Sequence, residues 1–170
     1  MIRSFVPPDA LILRTVATRV ENFSTQELNT LVEDMFETMR NGQGVGLAAP
    51  QIGVDARIIV IEFAGDEERA PNERPVEPTV LINPFITCGA GRIEGREGCF
   101  SVPGKIGMVP RYASIEYTAQ GINGRIICGR ANGMHARIIQ HEIDHLNGIL
   151  YTDFATEVSS YKRDLKEIGS

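Results

Sequence analysis

Between Asn132 and Gly148 the chain carries the run HEIDH, with His141 and His145 one helical turn apart and Glu142 beside the first. At about 100° per residue the two imidazoles fall within about 60° of each other and of Met134 and Ile138, and Ile139, Ile143 and Leu146 extend the apolar arc. Both histidines therefore face inward, while Arg137, Gln140 and Asp144 take the opposite side. Two histidines so placed can hold one metal ion, and the carboxylate between them can accept a proton from a polarised water. Neutral imidazole suits zinc and ferrous iron alike. The plainer reading is a pair of helix-face histidines satisfied by hydrogen bonds.

A third ligand would decide the class of site. Tyr151 stands where the extended metalloprotease motif needs a third His. Glu157 or Glu167 would have to reach in from a short polar tail, a poor support for a rigid site. Three cysteines remain. Cys99 lies between Gly98 and Phe100 in a short segment, 94–104, bounded by glycine and proline. Cys88 sits beside Gly89, and Cys128 closes an apolar strand where a small buried thiol is expected. Spacing does not choose among them. One thiolate with two imidazoles leaves a fourth position for water, the arrangement of a catalytic site.

The elements that must position these residues are legible in part. Asn132 caps the histidine helix and Asn147-Gly148 supplies its left-handed stop. Ser24 and Glu27 make a capping box, Phe23 and Leu28 a hydrophobic staple, and Leu28, Leu31, Val32, Met35, Phe36 and Met39 follow helical spacing. That amphipathic helix ends at Asn41-Gly42. Residues 1–22 read as an irregular arm pinned by Leu11, Ile12, Leu13 and Val16. In the glycine-rich stretch 41–53, the formal match to G-x-G-x-x-A follows a helix instead of a strand and is interrupted by Pro50, which excludes a dinucleotide site. It reads either as a plain turn or as a loop where a substrate backbone lies close, as in strand addition. Strands are predicted at 57–63, 79–84, 85–88, 114–119 and 125–128, with a solvated surface loop over 65–78. Val158, Tyr161, Leu165 and Ile168 share one face of a short terminal helix over 157–168. The order implies an α+β fold: mostly antiparallel strands around a long buried helix carrying the histidines, with an N-terminal amphipathic helix and a short C-terminal helix.

The 170 residues, 42% hydrophobic and 23% charged, suit one domain spanning 1–170. The net charge of −5 and the lack of a basic run argue against direct reading of nucleic acid, though not against docking on a larger nucleoprotein particle. An odd number of cysteines at no disulfide-like spacing points to a reducing compartment, the cytoplasm. Pro7-Pro8 and scattered charge stand where a signal peptide would need an uninterrupted apolar segment, so none is expected, and no 18-residue apolar run suggests a membrane.

Three blocks, GVGLAAPQ at 44–51, EGCFS at 97–101 and QHEIDH at 140–145, resemble the three motifs of the peptide deformylases, in order and spacing. The resemblance runs over nearly the whole chain. It implies that Cys99, His141 and His145 hold one divalent ion, Fe2+ as the physiological metal with Zn2+ or Ni2+ as substitutes. It makes Glu142 the general base and acid, and assigns the oxyanion to the Gln51 amide and the Phe100 backbone N–H. Val45, Gly46 and Gly98 would hold the substrate backbone. Leu is usual in the family where this chain has Phe100, so the nearby pocket is expected to change shape. The part of Arg137 is left open. The implied reaction removes the formyl group from the N-terminal formylmethionine of nascent polypeptides. A face of the terminal helix that is first of all solvated is also a candidate for docking on the ribosome. The competing readings are a metallopeptidase built on H-E-x-x-H and a non-catalytic relative that binds N-termini.

Overall fold

Residues 1–65 and 72–160 are described in the computed structural model. The strand β2 (Ile58–Phe63) shows why the chain folds in layers. Successive side chains of a strand point to opposite faces. Ile59 and Ile61 thus pack with Leu81, Ile115 and Tyr117 against helix α2 (Gly133–Leu146), meeting Ala136, Ile139, Ile143 and Leu146. Ile58 and Val60 turn the other way, with Leu47 and Ile82, onto Leu28, Val32, Met35 and Met39 of helix α1 (Gln26–Asn41). A run apolar on both faces is what a strand covered on both sides requires.

Around β2 lies a five-stranded antiparallel sheet of β1 (Gly46–Ala48), β2, β3 (Val76–Ala90), β6 (Ser114–Gln120) and β7 (Ile126–Asn132), in that order. A second antiparallel sheet contains β4 (Ile93–Cys99), β5 (Val102–Arg111) and β8 (Glu157–Ser160), with β5 central. The described chain is thus α+β, with antiparallel sheets and two α-helices. The β4–β5 hairpin turns through Phe100 and Ser101, and its register shifts after Gly98 so that Cys99 faces Val102.

Several expectations are corrected. The cap of α1 is Thr25, whose hydroxyl accepts from the Leu28 N–H at 3.1 Å, while Ser24 takes a left-handed backbone. Asn132 occupies the cap position of α2 without a side-chain cap bond. In the arm, Leu13 and Ala17 are buried but Leu11 and Val16 are exposed, because a short 3-10 turn (Leu11–Arg14) presents only one side to the body. The strands expected at 79–84 and 85–88 are one strand, β3, which begins inside the expected surface loop; residues 66–71 of that loop lie outside the described residues. Cys128 is exposed, since β7 points it to the uncovered face beside Thr118. Residues 157–160 of the expected terminal helix form β8, paired with Lys105 to Met108 of β5, and residues 161–170 lie outside the described residues. Alternation places Val158 opposite Gly107, and the backbone bonds offered by β5 outweigh a helical spacing that only four residues support.

The end of α2 is fixed by Gly148 at φ +71°, where an added Cβ would lie 2.6 Å from the carbonyl carbon of Arg14. Gly148→Ala should therefore combine left-handed strain with a backbone clash and destabilise the fold by at least about 1 to 2 kcal/mol. Urea unfolding measures this, and an unchanged midpoint would contradict it.

Candidate metal centre

Three segments distant in sequence meet between the sheets. The end of β4 brings Cys99, and α2 brings His141 and His145 on one face. Their ligand atoms all lie within 4.8 Å of one another, and Cys99 Sγ is 3.1 Å from His145 Nε2. The third segment is the 3-10 turn Ala49–Ile52, opened by Pro50, which carries Gln51. Gln51 Oε1 accepts the Ala48 N–H at 2.8 Å, so the amide cannot flip. Its Nε2 therefore points at Cys99 Sγ, 3.4 Å away, and at Ser101 Oγ, 3.2 Å away.

Glu142 is buried against β1. A Cβ on Gly46 would collide with its carboxylate, so only glycine lets the strand pass so close. Burial pushes the Glu142 carboxyl up to about 7. Among the described residues, its Oε2, His145 Nδ1 and the Tyr151 hydroxyl are buried with no hydrogen-bond partner, a concentration of unsatisfied polar atoms that marks the place as functional. Val45 precedes β1 and is partly exposed at the edge of the large sheet, and Gly98 lies on β4, an edge of the small one. The Phe100 ring turns from the cluster towards Phe5, Gly42 and Gly44. Of the residues expected at the site, Cys99, His141, His145 and Gln51 meet directly, and Glu142 lies against Gly46.

The sequence reading missed Glu97. This buried carboxylate takes His141 Nδ1 at 2.7 Å, Arg111 Nε and Nη2 at 2.9 Å each, and Arg137 Nη1 at 2.8 Å. It directs the other nitrogen of His141 towards Cys99, the usual second partner of a metal-binding imidazole. Arg111 also pairs with Asp144 on α2. Arg137, set aside as facing away, reaches back across β4, where an added Cβ on Gly95 would lie 2.8 Å from its guanidinium. The available signal was chemical: a ligand histidine needs an acceptor for its second nitrogen, and Glu97 lies two residues from Cys99.

The charges are arranged with sharp contrasts. Burial alone would raise the Glu97 carboxyl, but hydrogen bonds from Arg111 and His141 outweigh it and hold the group at about 2. Burial would likewise lower His141, yet its bonds to Cys99 and Glu97 carry it well above the usual range. His145 falls well below, through burial and the positive charge of its neighbour His141. Burial and the nearby Cys99 and Glu97 push Tyr151 up to about 12. A thiol and two oriented imidazoles suit a divalent ion held by three protein ligands with one position left open, so the residues fit such a group.

Glu97→Gln would leave Arg137 without its carboxylate and Arg111 with Asp144 alone. It should cost about 3 kcal/mol at pH 7 and weaken metal affinity at least about 10-fold. Because the folded pKa lies below the ordinary 4.5, the carboxylate stabilises fully above that pH and the effect is lost as pH falls towards 2. Urea melts of both proteins should therefore converge over that interval; a constant gap would contradict the assignment.

Residues 2–161 match the family model described as polypeptide deformylase. A peptide deformylase 2 of Ralstonia nicotianae is 50% identical over 144 residues, covering 84% of this chain and 80% of that protein. A peptide deformylase of Symbiobacterium thermophilum is 40% identical over 166 residues, covering 98% of this chain and 72% of that one. Among solved structures, a peptide deformylase from Legionella pneumophila has a TM-score of 0.82 at 40% identity, covering 92% of this chain and 87% of that chain. A class I type b peptide deformylase from Acinetobacter baumannii bound to Met-Ala-Ser has a TM-score of 0.86 at 31% identity, covering 90% of this chain and 98% of that chain. Since the family model spans residues 2–161 and relatives of this identity cover most of both lengths, the chain belongs to the polypeptide deformylase family.

Proposed function

We propose that this protein hydrolyses the formyl group from the N-terminal formylmethionine of newly made polypeptides and releases formate. The observation that carries the reading is the meeting of Cys99, His141 and His145 beside a buried Glu142 whose carboxyl sits near 7, in a chain of this family. Cys99, His141 and His145 hold one divalent ion. Fe2+ is the native metal in this reading, with Zn2+ or Ni2+ as substitutes, a choice that rests on family resemblance and on thiolate and imidazole donors that suit all three. The chemistry such an ion supplies is Lewis acidity and a water acidified enough to react near neutral pH.

The chain's own groups do the rest. Glu142, poised near neutrality, takes the proton of the attacking water and passes it to the departing amine. The Gln51 amide, held by Ala48, and the Phe100 N–H donate to the oxygen on which charge develops. Val45, just before the edge strand β1, Gly46, on it, and Gly98, on the edge strand β4, hold the extended substrate backbone. The tripeptide on the Acinetobacter relative begins with Met, which supports a site for methionine N-termini. Because both sheets and α2 contribute to one centre, residues 1–170 are read as a single catalytic domain.

The peptidase alternative finds no third His or Glu ligand among the described residues, the third ligand being Cys99: Tyr151 holds the position of the His, and Glu157 is exposed on β8. Among the described residues no helix is long and apolar enough to cross a membrane. Free cysteines support a cytoplasmic setting, where nascent chains are the substrate. Docking on the ribosome is part of the proposal, although most of the tail expected to mediate it lies outside the described residues.

The test is formate release from a formyl-Met tripeptide, set beside its acetylated twin and an internally blocked peptide, with protein purified anaerobically. Formate from the first alone, with about one metal per chain, is expected; cleavage of the blocked peptide, or neither activity, would overturn the reading. Glu142→Ala should keep the metal and lose about 10²- to 10⁴-fold in kcat. Cys99→Ala should lose the metal. Normal turnover in the first or full metal content in the second would reject those roles.

A further inference from the structure

The N-terminal arm touches both residues assigned to the oxyanion. The Phe5 ring stacks on that of Phe100, with centroids 4.4 Å apart and planes 22° apart. One residue on, the Val6 N–H donates to the backbone carbonyl of Gln51 at 3.0 Å. The Phe100 ring is also enclosed from the side of the glycine loop. A Cβ on Gly42 would lie 2.6 Å from its Cε1, and one on Gly44 would lie 2.6 Å from its Cε2. Phe100 therefore fills the space between the arm and the loop that leads into Val45 and Gly46.

We propose that Phe5 is a positioning residue: its stack on Phe100 clamps the turn after Cys99 against the 42–46 loop and holds the Phe100 N–H in register with the Gln51 amide. The inference rests on the deformylase reading of the site. A ring in a two-residue turn has little local support, because the neighbouring register is broken after Gly98. A turn free to rotate would carry the Phe100 N–H with it, and a donor displaced by about 1 Å can cost as much as about 100-fold in rate. The arm itself does not depend on the stack. The Arg3 N–H donates to Thr38 Oγ1 at 2.9 Å, the Arg3 guanidinium pairs with Asp34, and Val6 is tied to Gln51. Removing the Phe5 ring thus leaves the arm in place on both sides of the gap, so the substitution isolates the clamp.

The test compares metal-loaded wild type with Phe5→Ala, Phe5→Tyr, Phe100→Leu and the Phe5→Ala/Phe100→Leu double variant. Phe5→Ala should lower kcat about 10-fold, with KM within about 2-fold and metal content unchanged, and Phe5→Tyr, which preserves the stack, should restore it. The double variant should lose no more than the worse single one, because both break one contact. Unchanged kcat in Phe5→Ala, or additive losses in the double variant, would overturn the proposal. Amide hydrogen exchange gives a second readout independent of turnover. The Ser101 amide, in the same turn and donating to Cys99 Sγ at 3.4 Å, should exchange about 10-fold faster in Phe5→Ala while those of β2 stay unchanged; equal exchange at Ser101 would overturn the clamp. Should the wild type release no formate, the deformylase reading fails, and the exchange comparison still decides whether Phe5 holds the turn.

Discussion

A carboxylate taken out of water needs donors to replace its hydration, and Glu97 is where this chain meets that requirement. Its two oxygens receive Arg111 from β5, and Arg137 and His141 from α2. Both guanidinium groups lean on this anion, and the bonds from Arg111 and His141 keep it charged. The small sheet and the long helix are therefore joined through a polar knot, where α1 and the large sheet are joined through hydrocarbon. An apolar seam would hold the elements as well but would leave the orientation of His141 unspecified.

On its other side the same helix meets β1, and here the constraint is space. Glu142 lies where a side chain on Gly46 would have to be, so one missing Cβ lets a buried acid stand beside the edge strand β1. The proximity also explains the raised pKa, because backbone and apolar neighbours replace the water a free carboxylate would keep. One helix thus meets two carboxyl groups of opposite character near one centre: Glu97 on β4, an anion held by arginines, and its own Glu142, an acid pushed towards neutrality.

The parts of this arrangement that could be read from sequence are those whose own residues decide their state. The β-branched run of β2 and the spacing of His141, His145 and their apolar neighbours declare themselves. The long strands β4 and β5 did not, since Gly95, Gly98, Pro103, Gly104 and Pro110 break any alternation. Their pairing is set by partners elsewhere: Arg137 lying over Gly95, and Glu97 meeting α2. Ser24 and Thr25 offered the same capping chemistry one residue apart, and only the backbone told them apart. Cys128 follows two isoleucines, yet which face of β7 is covered depends on where α2 lands. Within the site, composition left the choice among three cysteines open, and that choice came from the likeness of EGCFS to a known motif.

The segments that build the centre, around residues 44–51, 97–101 and 140–145, are separated by 45 and 38 residues of intervening chain. Contacts so remote close late, because loop-closure entropy must be met before they yield any stability. Until α2 docks, Glu97 can remain hydrated and His141 has no fixed orientation, so metal affinity and the last stage of folding become one event. A growing copy of this chain cannot form its own centre until residue 145 has emerged, and chelation in the cell would be felt first by molecules still acquiring their shape.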